Sequence, residues 1–508
     1  MTDDSQVKAS PATAEPPPGR GGWSPRDLVL LAGMLAGSFT LQFSFAQLDG
    51  VDGFFHILAA DRIVDGVRGQ MPWMPLTVFG DGWIDHQLLF HVALAPFAWL
   101  LPGVTAAKAG AAVLAALAGF ALYRFLRRLE VPWAAAWAVL PFATSWTFWA
   151  RMEMPRTQTL SLILLLWAMG ALLRRRHGQL LVAAWLYAWT YHVSVIVLPI
   201  ALVHAAAAGL STSTTIRRRE LWKGPAAAAA GLAAGFAIHP HTPRTLWFVY
   251  QHAVVKVLNR DALPVGPEWL ASGPEMLLKT AGWAVLALVV SAVLLLGARR
   301  WTVATVFVGF VAVCATAGAL FANKFVEYSV PLSFAALGLA LRDRRGSVGP
   351  LLPGWRRPAA RVAAASALLA LCGWSGLNVH RAIQDHFYDP DRAKPAMDWI
   401  GANVPAGERI FHFDWSHFPE LAFHGPDHTY VVGLDPHFLS WKDPELWDLY
   451  QRIAEGWGAN PSRPIRKRFG CEWAVLLLPY PGAEELLAGD GGLERVFADE
   501  GAIVYRVR

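Results

Sequence analysis

"LDGVDGFFHILAADRIVDG", residues 48–66, decides how this chain is read, because it follows without a break on the apolar run "DLVLLAGMLAGSFTLQFSFAQ" at 27–47. An apolar run of about 20 residues has the length that crosses a bilayer. What comes next therefore sits at the membrane surface, and it carries Asp49, Asp52, His56, Asp61 and Asp65 at spacings that fit a helix lying along that surface. Acids at such a boundary have an ordinary reading, as interfacial residues that end a helix. Asp52 and His56, four apart on one helical face, favour a built site with Asp52 as its base. So does a second polar set, Asp81, Asp85 and His86 in "FGDGWIDHQ" with His91 just after it.

Composition places the rest. Of 508 residues, 55% are hydrophobic and 16% charged, and the mean hydropathy is +0.34, the balance of a polytopic helical membrane protein. Apolar runs recur at about 104–123, 133–149, 157–173, 225–239, 276–297, 302–321, 325–341 and 360–378. Dividing the run 179–209 near "TYHVS" gives about eleven spans. With that division, Arg20 and Arg26, Arg124, Arg127 and Arg128, Arg174 to Arg176, Arg217 to Arg219, Arg299 and Arg300, and Arg342, Arg344, Arg345, Arg356, Arg357 and Arg361 all fall on one side. The positive-inside rule names that side the cytoplasm. The surplus of 44 Lys and Arg over 38 Asp and Glu is thus topological and implies no nucleic acid. Cys314, Cys372 and Cys471 have no paired spacing, so neither a disulfide framework nor a zinc site is indicated.

The expected organisation is a disordered cytoplasmic tail at 1–26, a membrane region at 27–379 and a small extracytoplasmic α/β domain at 380–508. An external loop, 48–103, carries surface helices, and its segment 86–103 lies along or dips into the outer leaflet. In the last part "GERIFHFDW", "TYVVGLD", "EWAVLLLP" and "AIVYRVR" have strand character, while "RAKPAMDWIGAN" and "DPELWDLYQRIAEGW" have helical character. This is the layout of a multi-pass protein of a bacterial inner membrane, with its N-terminus cytoplasmic and its C-terminal domain periplasmic.

The second outer turn, "WARMEMPRTQTL", sets Glu153 between Arg151 and Arg156 at a membrane boundary, where an ionisable group is costly unless paired or used. Two readings stand: an Arg–Glu pair tying two helices, or arginines that grip a phosphate while Glu153 supports a cation or the acceptor. Tyr191 and His192, His239, His241 and Arg244 in "HPHTPRT", and Lys324, Glu327 and Tyr328 in "NKFVEYSVP" are each structural on their own. On the expected topology they ring one cavity.

"DGFFHILAADRIVDG" after the first span resembles the Asp-x-aromatic-aromatic-His/Asn pattern that opens the first external loop of the oligosaccharyltransferase catalytic subunit, within the GT-C superfamily of polyprenyl-phosphate-dependent glycosyltransferases. The order of span, long external loop, acid-bearing second loop, further spans and external α/β domain is similar too. The resemblance implies that Asp52 is the first-loop catalytic Asp and that Glu153 stands at the second acidic motif. The two would act with or without a divalent ion, Mg2+ or Mn2+, between them. The Trp-Trp-Asp-Tyr-Gly motif that reads the acceptor sequon is absent; "HFDWSHFPELAFHGPDHTYVVGLDP" stands at a comparable place, with Trp415, Ser416 and His417 as acceptor candidates.

The implied function is transfer of a sugar from a polyprenyl-phosphate-linked donor to a glycan, lipid or protein acceptor, with inversion. His56, Asp85, His86, Arg151, Arg156, His192, Arg244, Lys324, Glu327, Trp415 and His417 are the expected substrate-binding residues. A transporter or flippase of lipid-linked sugars is the alternative, and would place ionisable groups near mid-membrane in related halves. A non-catalytic assembly or sensor protein would leave the first-loop acids and the Arg–Glu turn without a purpose.

Overall fold

The computed structural model describes residues 22–66, 73–210, 218–259, 263–264, 266–271, 273–297, 301–344, 358–456, 460–480, 482, 487 and 489–508. The expected tail before Gly22 lies outside them, as do Arg20, Arg217, Arg299, Arg300, Arg345, Arg356 and Arg357.

The first part is helical: α1 (Pro25–Gln42), α2 (Asp52–Val64), α3 (Leu88–Leu100), α4 (Gly103–Arg128), α5 (Ala134–Thr144), α6 (Trp146–Glu153), α7 (Thr157–Leu173), α8 (His177–Ala188), α9 (Val197–Leu210), α10 (Arg218–Ala237) and α11 (Arg244–Tyr250). Four longer helices follow, Pro274–Leu296, Val303–Phe321, Val326–Asp343 and Pro358–His386. Among the described residues six helices are long and apolar enough to cross a membrane, or seven if the bent pair α6–α7 is one span. About eleven were expected from apolar runs. The difference lies in helices such as α5 and α8, of 11 and 12 residues, too short at about 1.5 Å per residue to cross a hydrocarbon core of about 30 Å alone. The chain does break at "TYHVS": α8 ends at Ala188, and the turn His192–Ile196 leads into α9.

Capping and buried charge fix the ends of the bundle. α1 begins with a capping box, Ser24 and Asp27 each accepting from the other's amide, and with Pro25 in its first turn. Asp27 also accepts from Tyr123 at 2.6 Å, from Arg124 at 3.0 Å and from Arg127, which sets the start of α1 against the end of α4. At the other end Lys108 donates to Phe45 O at 2.5 Å, so the two helices run antiparallel. Arg342 donates to Leu129 O, Arg344 to Leu294 O, and Arg174 shares a cavity with Arg124 and Arg128. These members of the basic clusters share one end; the first loop and the α6–α7 bend occupy the other.

The last helix runs on to His386, slightly past the expected boundary at 380. After it comes a five-stranded sheet in the order β2-β1-β3-β5-β4, with β1 (Arg409–His412), β2 (Thr429–Tyr430), β3 (Trp473–Leu477), β4 (Leu493–Ala498) and β5 (Ala502–Val507). β2, β1 and β3 are parallel, which requires crossover connections such as the helices between them, while β5 pairs antiparallel with both neighbours. The sheet shares one core with the first loop: Phe55, Trp73, Phe79 and Trp83 pack in the same buried cluster as Met397, Phe418, Phe438 and Val504. Trp73 is central, its indole donating to Pro426 O at 2.9 Å and its carbonyl accepting from the Tyr430 amide at 2.6 Å.

Because that core joins loop to sheet, Trp73→Ala should destabilise the protein by about 3–5 kcal/mol, the usual scale for removing a buried indole. The check is thermal unfolding in detergent together with limited proteolysis, where earlier cleavage after residue 386 is the expected companion. An unchanged melting temperature and cleavage pattern would mean that the two parts do not support each other.

Candidate active site

The site is set at Gly53. A Cβ there would lie 2.4 Å from Pro155 Cγ and 2.8 Å from Leu48 Cδ2, so glycine lets the first turn of α2 press against the bend between α6 and α7. The bend itself, 104°, falls at Met154-Pro155-Arg156, where proline cannot continue α6 and forces the residue before it to be extended. The contact brings Asp52, the first residue of α2, to Arg156, the N-cap of α7, with carboxylate and guanidinium 2.8 Å apart. Glu268 lies 4.0 Å from the same guanidinium. Two helix N-termini, each worth roughly half a positive charge, meet here.

Asp52 and Arg156 line two adjoining cavities of about 100 and 120 Å3, which also share Lys256, Glu268, Trp269 and Asp435. The first is walled by His56, His86, His192 and His252, and the second by Trp415 and Ser416. A larger cavity of about 410 Å3 holds His417, Arg392, Glu420 and Tyr480, and has Val51 and Ser416 in common with the second. Asp52 keeps 30% of its side chain exposed, so it is reachable from the cavities it lines.

Burial raises the proton affinity of Asp52 above the usual carboxylate range, with Arg156 opposing and Glu268 and Asp435 adding to it. Burial would raise Asp435 as well, but Lys256, His437 and His252 outweigh it and hold that carboxyl low. Lys256 forms an ion pair with Asp435, and His437 Nδ1 lies 2.7 Å from the other carboxylate oxygen. Burial pushes His86 down to about 4 and His252 well below its usual value. The cavity thus joins a carboxyl of raised proton affinity, two paired cations and neutral imidazoles.

Asp85 is buried and lines none of these cavities; it acts through others. His91 Nδ1 lies 2.7 Å from Asp85 Oδ2, and His91 Nε2 lies 2.9 Å from His56 Nδ1. Burial would raise Asp85, but His91 and the Gln87 amide hold it below its usual range, and so ionised. An ionised carboxylate only accepts, so His91 donates from Nδ1. Where His91 carries a single proton, its Nε2 accepts from His56 Nδ1, and His56 is left with a bare Nε2. Burial above all holds His56 neutral, with the charge of Arg156 adding to it.

Other expected residues stand farther back. Arg151 pairs with Glu327 through Nε at 2.6 Å and Nη2 at 2.5 Å, tying α6 to the helix Val326–Asp343. This is the structural reading of the Arg–Glu turn, with Glu327 as the partner in place of Glu153. Lys324 Nζ lies over the Trp269 ring, 3.0 Å from its centre. Glu153 is not at the cavity: its carboxylate accepts from Trp149 at 3.0 Å, and its backbone carbonyl from Gln42 on α1. Arg244 is not there either, because its guanidinium donates to Val78 O, Asp81 O and Gly82 O at 2.8–2.9 Å.

A divalent ion between Asp52 and Glu153 does not fit these residues. Asp52 turns to Arg156 and Glu153 to Trp149, and among the described residues no three His, Cys, Asp or Glu side chains gather as a ligand set.

No protein-family profile matches the chain, and no curated protein matches it in sequence. Solved structures do match. Archaeal oligosaccharyltransferase AglB from Archaeoglobus fulgidus, in complex with an inhibitory peptide and a dolichol-phosphate, superposes with a TM-score of 0.59 at 12% identity, over 89% of this chain and 69% of AglB. ArnT from Cupriavidus metallidurans, bound to undecaprenyl phosphate, gives 0.56 at 12% identity, over 94% of this chain and 97% of ArnT. The arabinofuranosyltransferase AftD from Mycobacteria gives 0.57 at 17% identity, over 96% of this chain and 40% of AftD.

The fold is that of the GT-C glycosyltransferases. The resemblance drawn from the first-loop motif therefore holds for the architecture. Within this GT-C fold Asp52, His56, His86, Arg156, His192 and Trp415 meet at the adjoining cavities, and His417 faces the larger one. His252, Lys256, Glu268, Trp269 and Asp435 were not singled out in the sequence. His252 and Lys256 carried a signal, being four apart in the helical stripe "TLWFVYQHAVVKVL"; Glu268, Trp269 and Asp435 lie in short turns with none.

The geometry changes what Arg244 is expected to do. Arg244→Ala leaves three loop carbonyls without their donor, so it should lower stability by about 1–2 kcal/mol and leave lipid-phosphate affinity unchanged. Thermal unfolding and binding of a labelled polyprenyl phosphate would read the two effects separately. Lost phosphate binding at unchanged stability would return Arg244 to the site.

Proposed function

We propose that the protein transfers a sugar from a polyprenyl-phosphate-linked donor to a hydroxyl acceptor on the extracytoplasmic face of a bacterial inner membrane, with the N-terminus in the cytoplasm and the sheet-bearing part in the periplasm. The observation that carries this reading is the Asp52–Arg156 pair, set by two helix N-termini in a partly open cavity of a GT-C fold. That AglB and ArnT were solved with polyprenyl phosphates supports the donor class. The location of these charges at one end of the bundle favours transfer over transport, which needs a polar path through the membrane.

In this mechanism the donor's phosphate takes the Arg156 guanidinium from Asp52, helped by Lys256 and the two helix N-termini. Losing that partner raises the basicity of Asp52, so donor binding readies the base. The acceptor oxygen attacks the anomeric carbon as its proton passes to Asp52, and the carbon–oxygen bond to phosphate breaks with its electron pair leaving on the phosphate. One displacement inverts the anomeric centre. His56, presenting a bare Nε2 one helical turn from Asp52, accepts a hydrogen bond from a substrate hydroxyl and orients it. The acceptor arrives past Trp415 and Ser416 from the cavity of His417.

In nanodiscs supplied with a lipid-linked sugar, Asp52→Asn should cut turnover by roughly two to four orders of magnitude, the usual worth of a general base. Asp61→Asn and Asp65→Asn, farther along α2, should have mild effects. Because the Asp52 pKa is raised, wild-type kcat/KM should fall on acidification at a pH above the ordinary Asp range near about 3.9. Wild-type turnover by Asp52→Asn would refute the assignment.

Asp85→Asn tests the hydrogen-bond chain at constant size. The amide NH2 would donate to His91 Nδ1, reversing both rings and turning His56 Nε2 from acceptor to donor. Turnover should fall by at least about ten-fold, the scale of losing an outer hydrogen-bond partner. 15N NMR of histidine-labelled protein, with His56 assigned from its loss in His56→Gln, reads the tautomer directly, and an unreversed His56 ring would sink the chain.

A further inference from the structure

The bundle has a second charged cavity, at the end farthest from Asp52. α4 begins at Gly103, against Phe423 beside the first loop, and at about 1.5 Å per residue its 26 residues carry Arg124 and Arg128 more than about 30 Å away. α7 likewise leaves the active site at Arg156 and ends at Arg174. Between these ends is a cavity of about 170 Å3 with Arg124, Arg128 and Arg174 among its lining residues, along with Phe125, Ile163 and Trp167. No acid lines it.

The cations are not used up internally. Asp27, buried alongside, is shared by Arg124 and Arg127. Arg174 spends Nε on Gly170 O at 2.9 Å and makes one long contact to Gln179. Arg128 is exposed and, among the described residues, enters no hydrogen bond or ion pair. Against Asp27 and two helix C-termini of roughly half a negative charge each, Arg124, Arg127, Arg128 and Arg174 leave an excess of about two positive charges. Below the guanidiniums the lining is aromatic and aliphatic.

We propose that this cavity binds an anionic glycerophospholipid in the leaflet opposite the active site, its phosphodiester between Arg128 and Arg174 and one acyl chain along Phe125, Ile163 and Trp167. Charge complementarity selects the headgroup and the apolar lining selects a lipid. The assignment is independent of the reaction proposed for the outer end. Basic pockets between helices on a cytoplasmic face recognise such headgroups through this combination.

Native mass spectrometry of the full chain, released from micelles containing either phosphatidylglycerol or phosphatidylcholine, tests it. The wild type should retain phosphatidylglycerol in preference. Arg128→Gln, at an exposed side chain, should lower that retention about five-fold, and Arg128→Gln/Arg174→Gln further, the equivalent of about 1 kcal/mol for each arginine. Circular dichroism and thermal unfolding in phosphatidylcholine alone confirm that the single variant is folded, which keeps the test valid if the double variant is not. Equal retention of the two lipids by the wild type, or undiminished phosphatidylglycerol on folded Arg128→Gln, would overturn the proposal.

Discussion

A buried charge needs partners that replace its lost hydration, and the end of the bundle that holds the Asp52–Arg156 pair is built on that constraint. Taking an ion out of water costs several kcal/mol unless a partner and further hydrogen bonds replace the lost hydration. Here Arg151 faces Glu327, Arg156 faces Asp52 and Glu268, and Lys256 faces Asp435, with Lys324 over Trp269 nearby. The partners come from α2, α6, α7, the segment after α11, the helix Val326–Asp343 and the turn after β2. Because each pair bridges different elements, removing one member would leave a charge stranded and loosen two of them. The resting site is therefore close to neutral, and an incoming phosphate would have to exchange with an internal carboxylate.

The exchange needs rigid surroundings, and the fold supplies them through shape as much as charge. Gly53 lets α2 touch Pro155, and Pro155 turns the chain so that Arg156 caps α7. The aromatic core shared by the first loop and the sheet then closes one side of the site: Phe79 packs on Phe248 and Phe438, and His252 stacks near Phe248. His252 sits in a π turn, Gln251–Val255, that continues α11. Such a turn holds one extra residue per cycle and re-aims the side chains that follow, here with Lys256 placed on Asp435.

Much of this was legible because membrane insertion and buried charge leave strong marks in a sequence. The apolar runs, the arginines gathered at one end, the break at "TYHVS", and Asp52 with Arg156 at a helix boundary are all consequences of one solvent change. β1, β3 and β5, and the helices Lys394–Asn403 and Pro444–Ala454, were readable as apolar runs and amphipathic stripes. β4 was not, because "LERVFA" lies at the sheet edge, partly open, with Glu494 and Arg495 inside it. The expected spans outnumber the long apolar helices among the described residues because apolarity marks contact with lipid or core without distinguishing a crossing helix from a short buried one. Arg244 misled for a related reason: an arginine beside aromatics looks alike whether it binds a phosphate or three backbone carbonyls. Only the path of residues 78–82 separates the cases, and that path is tertiary.

The His56–His91–Asp85 chain shows how far charge can act from where it sits. Asp85 contributes no atom to the cavity lining, yet its ionisation places a hydrogen on His91 Nδ1, and where that ring carries no second proton it also sets which face His56 offers. Burial alone would leave His56 neutral with either nitrogen protonated, two states of similar energy and opposite hydrogen-bonding sense. The carboxylate removes that degeneracy. Asp52 is held differently, with burial raising its proton affinity and Arg156 opposing. One helical face thus presents two acceptors of unlike strength, a carboxylate that gains basicity when its cation leaves and an imidazole nitrogen whose role is set from behind. For a substrate carrying several hydroxyls that difference matters, because on the proposed reading the nitrogen only orients a hydroxyl while the carboxylate removes the proton, so reaction is confined to the oxygen that reaches Asp52.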